Sequence, residues 1–327
     1  MTFKKDWEKT DQHFQIGIPI LEAMLDHALP NQKVSSHTVI SGGCANLNIK
    51  VNFEKRSEPL ILRIYLRDKE AAYREQKLAT LINHSLPIPE VYFVGDIDNY
   101  RFAITQFKYG ITLRDLLLDN KTENIKNIMK EAGLILAKIH SYRFPHSGFF
   151  DRDLHIGTKL PKNYGILFAK ECLEHPTTLK QISKENLSKI ETYLDQYHFL
   201  FRDENQNHLV HADYDPTNIL VHQIHGEWVI SGILDWEFAF SGSPLYDVAN
   251  MLRYAHHMPP IFESSFLEGL QQGGVQLEDN WRISIYLLNL LSLLDCLIRC
   301  PPNLRPRQCA DIRSLIDFIL KCLDKIK

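Results

Sequence analysis

Alternation with a period of two marks the first third of the chain, and helical spacing marks the rest. Leu47–Phe53 (LNIKVNF) switches between apolar and polar positions residue by residue, as a strand with one buried face must. His37–Ser41 before it and Pro59–Tyr65 after it read as two more strands. A glycine turn and a polar turn join the three into an antiparallel meander. Lys69–Asn83, rich in Ala, Glu, Lys and Leu, predicts a helix, and Glu90–Asp96 and Arg101–Phe107 predict strands on either side of the Asp98-Asn99 turn. A short amphipathic helix is predicted over residues 14–29, with Pro19 in its first turn.

From Ile111 onward the period is helical. Leu113–Leu118, Glu123–Tyr142, Asn186–Phe201, Leu245–His256, Ile261–Gly269, Asn280–Arg299 and Cys309–Ile326 are the clear helices. Phe144–Pro161 reads as a loop, and strand signals return only at Leu209–Val210, Ile219–His222 and Trp228–Asp235. The fold class is therefore α+β, in two lobes. Residues 1–107 form a small antiparallel-sheet lobe carrying a helical extension over 1–36, and residues 108–327 form a large, mainly helical lobe. Their junction near Gln106–Gly110 predicts a cleft, and clefts of this kind are where ligands bind.

Composition narrows the field without naming a function. A chain of 327 residues can bury a sizeable core. With 44% hydrophobic and 24% charged residues it has the composition of a soluble protein. A formal net charge of -3 gives no pull toward nucleic acid or an anionic membrane. The six cysteines form no CxxC pair, which argues against structural zinc and for scattered thiols in a reducing, cytoplasmic setting. No apolar run follows the charged N-terminus, so no signal peptide is expected. Ile283–Ile298 is apolar but falls short of the roughly 20 residues that span a bilayer, and it carries Asn289 and Asp295. It predicts a buried helix of the large lobe.

The chemistry concentrates in His211-Ala-Asp-Tyr-Asp-Pro-Thr-Asn218 and, further on, Ile-Leu-Asp235-Trp-Glu. Phosphoryl transfer needs a carboxylate to receive the proton of an acceptor hydroxyl, and an Asn/Asp pair to hold magnesium against the nucleotide phosphates. Asp213, between two apolar strand ends, is the candidate base; alone, it could equally cap a turn. Asn218 offers an amide oxygen, a hard ligand suited to magnesium. Asp235 ends a buried strand, where an ionised carboxylate needs a partner such as a metal ion. The three in this order point to phosphoryl transfer. His211 is expected to hold the loop through backbone bonds, and His140 to pack or cap.

Other positions fit the same chemistry. Ser41-Gly42-Gly43-Cys44-Ala45-Asn46 between two strands is either a plain hairpin or a turn that covers phosphates with its N–H groups. No Walker sequence occurs. Arg63, the one charged residue inside its strand, can reach α- and β-phosphates if a helix carboxylate holds it, and Glu75 is better placed for this than Glu70. A solvated strand residue is the alternative.

These residues resemble the aminoglycoside phosphotransferase and choline kinase superfamily. The resemblance rests on His211-x-Asp213 with Asn218, on Asp235-Trp-Glu, and on Gly242-Ser-Pro-Leu-Tyr-Asp247, and runs from about Val39 to Tyr254. It implies a bilobal protein-kinase-like fold and ATP, or GTP, as donor. The base of the nucleotide would meet the backbone near Gln106–Lys108 after the Ile104-Thr-Gln-Phe107 hinge. Asp213 would be the catalytic Asp, Asn218 and Asp235 the Mg2+ ligands, and Asp247 a buried brace. Arg63 departs from the usual Lys, and Asp215 from a common His. The Asp-Phe-Gly and Ala-Pro-Glu signals of protein kinases are absent, which argues against a protein acceptor. The expectation is a kinase acting on an alcohol group of a small molecule, aminoglycoside-like or an amino alcohol. The competing readings are a non-catalytic nucleotide-binding protein of the same fold and a protein kinase.

Overall fold

Alternating burial along the early strands decides which side chains face the cleft. A computed structural model describes residues 3–8, 16–40, 46–119, 125–201 and 206–326. The first lobe contains α1 (Ile18–Ala28), β1 (Val34–Ile40), β2 (Asn46–Phe53), β3 (Arg56–Tyr65), α2 (Ala71–Ile82), β4 (Val91–Ile97) and β5 (Tyr100–Gln106). The strands form one antiparallel sheet in the order β1-β2-β3-β5-β4. Leu47, Ile49 and Val51 of β2 and Leu60, Leu62 and Ile64 of β3 turn to one face, which Leu21, Met24 and Leu25 of α1 cover. The intervening positions share the other face, where Asn48 pairs with Arg63 in register. Helix α2 lies toward that face, its Ala71 and Ala72 packed with Tyr65 and Ala103. Arg63 is thereby presented to a helix that carries a carboxylate.

Phe107–Gly110 leads into the second lobe. A Cβ at Gly110 would stand 2.6 Å from the Val221 carbonyl oxygen, and its φ of +141° is one that other residues avoid, so only glycine passes here. Then come β6 (Ile111–Thr112), α3 (Leu113–Leu118), α4 (Ile125–His140), β7 (Gly148–Phe149), α5 (Tyr164–Glu174), α6 (Pro176–Gln181) and α7 (Lys184–Gln196). They are followed by β8 (His208–Val210), β9 (Ile219–Ile224), β10 (Glu227–Ile233), β11 (Phe240–Gly242), α8 (Leu245–Leu252), α9 (Pro260–Gln272), α10 (Trp281–Ile298) and α11 (Pro306–Asp324). Two small sheets, β10-β9-β6 and β7-β11-β8, pack against α4 through β10 and β8. One continuous apolar core runs through the helices. Helix α10 is long and apolar enough to cross a membrane by composition alone. Here it packs against α8, α11 and α5 with Leu287, Leu290, Leu293, Leu294 and Leu297 buried.

The predicted elements recur, with ends shifted by a few residues. Helix α1 begins at Ile18 rather than residue 14, with Pro19 in its first turn. The 144–161 loop contains β7, which pairs with β11. Strands of two and three residues are too short to show a period. Helices α5 and α6 were not foreseen either. One expectation is corrected: residues 3–8 do not join the first lobe. Phe3 is buried in the core of the large lobe, its ring tilted against Tyr254 and Phe262.

Helices α4 and α9 cross closely, backbone against backbone. A Cβ at Gly133 would meet the Phe266 carbonyl oxygen at 2.2 Å, and one at Gly269 the Lys130 carbonyl oxygen at 2.1 Å. Backbone touches backbone, so neither neighbour can turn aside. Gly133→Val is expected to destabilise the protein by about 2 kcal/mol or more, read from urea unfolding. A midpoint equal to wild type would show that the helices separate at no cost.

Candidate active site

A buried carboxylate organises the loop between β8 and β9. Asp247, in the first turn of α8, is fully buried. Its Oδ2 accepts the His211 N–H at 2.9 Å, its Oδ1 accepts the Ala212 N–H at 2.8 Å, and His140 Nε2 lies 3.1 Å from Oδ2. On the same helix Asn250 Nδ2 donates to the Ala212 carbonyl at 2.7 Å. Ala212 adopts φ +68°, a left-handed conformation costly for any residue with a Cβ, and both sides of its peptide unit are clamped. The turn sends Asp213 outward from rigid flanks.

His211 ties this loop to the second one. Its Nδ1 accepts the Asp213 N–H at 3.2 Å, so its Nε2 carries the hydrogen donated to the Leu234 carbonyl at 2.9 Å. This matches the scaffold role read from sequence. Pairing of Ile219 with Ile233 in the β9–β10 hairpin places the two loops side by side, and Leu234 N–H donates to the Asn218 carbonyl at 2.8 Å. Asp235 comes next, at φ +66°.

The sequence-predicted site residues meet across these two loops. Asn218 Nδ2 donates to Asp213 Oδ2 at 2.8 Å and to the Asp213 carbonyl at 2.9 Å, which turns its Oδ1 away from the base. Asp235 Oδ1 lies 2.6 Å from Arg63 Nη2, which also stands 3.1 Å from Glu75 Oε1. Glu75 is thus the carboxylate that holds Arg63, as expected over Glu70; Glu70 instead pairs with Arg101 at the surface. Tyr65 Oη donates to Glu75 Oε2 at 2.5 Å. Asn46 Nδ2 donates to Glu237 Oε2 at 2.9 Å, and its buried Oδ1 has no partner among the described residues. Gly42 and Gly43 lie outside the described residues.

At the junction the geometry divides the predicted pair. The Gln106 N–H is taken by the Glu90 carbonyl at 2.8 Å within the sheet edge. The Lys108 backbone makes no hydrogen bond among the described residues, so its N–H and carbonyl are both available to a ligand, whereas the Gln106 N–H is not. Burial lowers the Lys108 ammonium pKa.

Charges at the site balance in a way composition does not reveal. Burial and Asp235 work against an ionised Asp213, but Lys4, with Arg253 behind it, holds its carboxyl below the ordinary range. Glu237 goes the other way: burial, with Asp235 beside it, pushes its carboxyl up to about 7. Among the described residues no group of three or more His, Cys, Asp or Glu has the arrangement of a metal cluster. The donor set suits a hard divalent cation nonetheless. Asn218 Oδ1 and Asp235 are oxygen donors on adjoining loops, and the raised Glu237 beside Asp235 marks a place short of positive charge. Sequence reading gave Glu237 no role, although Asp235-x-Glu237 was a visible sign. It missed Lys4 entirely, and nothing local in Phe3-Lys-Lys-Asp-Trp7 signals a contact with Asp213.

Comparison with known proteins bears on this arrangement. The model of a phosphotransferase enzyme family, APH, matches residues 36–283. The chain belongs to that family. A thermostable mutant of aminoglycoside phosphotransferase APH(4)-Ia, solved with AMP-PNP and hygromycin B, is 20% identical and superposes with a TM-score of 0.70, covering 92% of this chain and 98% of that one. Spectinomycin phosphotransferase APH(9)-Ia, in complex with ADP and spectinomycin, is 13% identical with a TM-score of 0.62, covering 94% and 98%. ADP-bound APH(2'')-Ib is 17% identical with a TM-score of 0.61, covering 92% and 97%. No curated protein matches the sequence. The fold of this phosphotransferase is the bilobal, protein-kinase-like one that the motifs implied.

The Asp247 clamp makes a direct stability prediction. Asp247→Ala leaves the buried His211 and Ala212 N–H groups without acceptors, at roughly 1–3 kcal/mol each. Urea unfolding should show a loss of about 3 kcal/mol or more. A loss below about 1 kcal/mol would mean that the loop keeps its shape without the carboxylate.

Proposed function

We propose that this phosphotransferase is a small-molecule kinase that moves the γ-phosphoryl group of ATP to a hydroxyl of its acceptor. The observation that carries the reading is the meeting of Asp213, Asn218 and Asp235 on two loops locked together by His211 and the β9–β10 hairpin. Most of the catalysis of phosphoryl transfer comes from position and charge neutralisation, so a base held ionised and oriented is what the reaction needs. Asp213 meets both conditions: Asn218 fixes its Oδ2, and Lys4 keeps it charged. It would accept the hydroxyl proton as the phosphoryl group leaves the nucleotide.

Mg2+, when bound, supplies the charge that neutralises the β- and γ-phosphate oxygens, and Asn218 Oδ1 with Asp235 would hold it. Arg63, anchored by Glu75, would meet the α- and β-phosphates with its planar fork. The Lys108 backbone would read the base, and Gly42 and Gly43, outside the described residues, are the proposed cover for the phosphates. Solved neighbours held AMP-PNP or ADP, which supports ATP as donor. The same neighbours were solved in complex with hygromycin B or spectinomycin, so an aminoglycoside-like or amino-alcohol compound is the first class to assay here.

ADP release measured with Mg2+ and a panel of hydroxyl compounds tests the activity. Asp213→Asn is expected to keep the rise in melting temperature caused by magnesium and AMP-PNP, while turnover falls by about a thousandfold or more. Turnover at the wild-type rate in that variant would remove Asp213 as the base.

A further inference from the structure

A cation from the far end of the chain sits on the proposed base. Lys4 Nζ is 3.1 Å from Asp213 Oδ1 and also bonds Asp215 Oδ2. Asn218 occupies Asp213 Oδ2, so an incoming hydroxyl would have to share Oδ1 with Lys4. The acceptor must approach past an ammonium that the protein itself provides.

The segment bearing Lys4 is built into the large lobe. Phe3, only 1% exposed, packs its ring 5.2 Å from Tyr254 and 6.3 Å from Phe262. Trp7 Nε1 donates to Asp311 Oδ2 at 2.8 Å, the same oxygen that takes the Tyr254 hydroxyl. The Glu8 carboxylate accepts the N–H groups of Arg307 at 2.8 Å and Gln308 at 3.1 Å, capping the start of α11. Three anchors in six residues hold Lys4 as a wall of the site rather than as a plug that is readily expelled.

The charge around it follows the same line. An ammonium on an acceptor would look to Asp213 and Asp215, and Lys4 already takes both. Behind them Arg253, buried, is bound by Asn289 at 2.8 Å and Ser292 at 3.0 Å, neither of them charged. Arg299 spends its charge on Asp295. His256 is driven down to about 4 by burial and is neutral at physiological pH. Asp311, tied to Trp7 and Tyr254, and Glu8, which caps α11, are further carboxylates beside this wall.

We propose that Lys4 is a specificity-determining residue: by taking the carboxylates of Asp213 and Asp215 it disfavours acceptors with an ammonium beside the reacting hydroxyl, and favours neutral or anionic surroundings there. The proposal rests on the kinase reading insofar as that reading makes this face of Asp213 the acceptor side. It narrows the acceptor class set by the neighbours, whose amino groups would have to lie away from the hydroxyl that reacts.

The test is isothermal titration of the full chain, loaded with magnesium and AMP-PNP, using gentamicin and its fully N-acetylated form as probes. Lys4→Met is expected to bind gentamicin at least tenfold more tightly than wild type, with the affinity for the acetylated form unchanged; Lys4→Arg should behave as wild type. Lys4→Gln removes the charge with a polar side chain and gives the same comparison if Lys4→Met folds poorly. No gain for gentamicin, or an equal gain for both probes as expected of a simple plug, would overturn the proposal. Because the readout is binding, it is separable from the kinase reading, which ADP release judges on its own.

Discussion

The buried Asp247 carboxylate is the constraint from which the site is built. A charge with no solvent contact is costly unless donors surround it, and here two successive backbone N–H groups and His140 do so. The same bonds compensate the left-handed turn at Ala212, which no residue with a Cβ adopts freely. Each strained element requires the other: without the carboxylate the turn would relax, and without the turn the two N–H groups would not converge on it. Asp213 takes its direction from this pair.

From that point the geometry spreads by short links. His211 carries it to Leu234, the β9–β10 register carries it to Asp235, and the Arg63 contact to Asp235 carries it across the cleft to β3. The first lobe contributes through a side chain that alternation placed on the cleft face and Glu75 fixed there. Lys4 closes the circle from outside, held by anchors on α11 and near α9. A candidate active site made of loops is thus braced by bonds to helices and strands on both sides of the cleft.

Much of this was legible in the sequence, for reasons that can be named. β2 and β3 announce themselves because burial on one face imposes a period of two, and the same period puts Arg63 opposite the core. The spacing from Asp213 to Asn218 was readable because both residues belong to one turn, closed by a direct bond. Glu75 could be preferred over Glu70 because mid-helix positions are better defined than helix ends. Contacts that join distant segments left no such trace. Lys4 meets Asp213 across 209 positions, and Glu8 meets Gln308 across 300, so neither has a local pattern. At Gln106 a strand end that is uncertain by a residue or two hides from the sequence that the N–H belongs to the sheet. β7 and β11 exist only through pairing, β7 with β11 and β11 also with β8, and two or three residues carry no period of their own.

The central claim is that Asn218 and Asp235, fixed beside Asp213, hold the divalent cation of a bound nucleotide. Titration of Mn2+ into the AMP-PNP-loaded protein, followed by electron paramagnetic resonance, addresses it without requiring the acceptor. Nucleotide-dependent Mn2+ binding in the wild type, weakened about tenfold or more in Asn218→Ala and in Asp235→Ala, is the result the structure predicts. Equal Mn2+ affinity in all three proteins would contradict it.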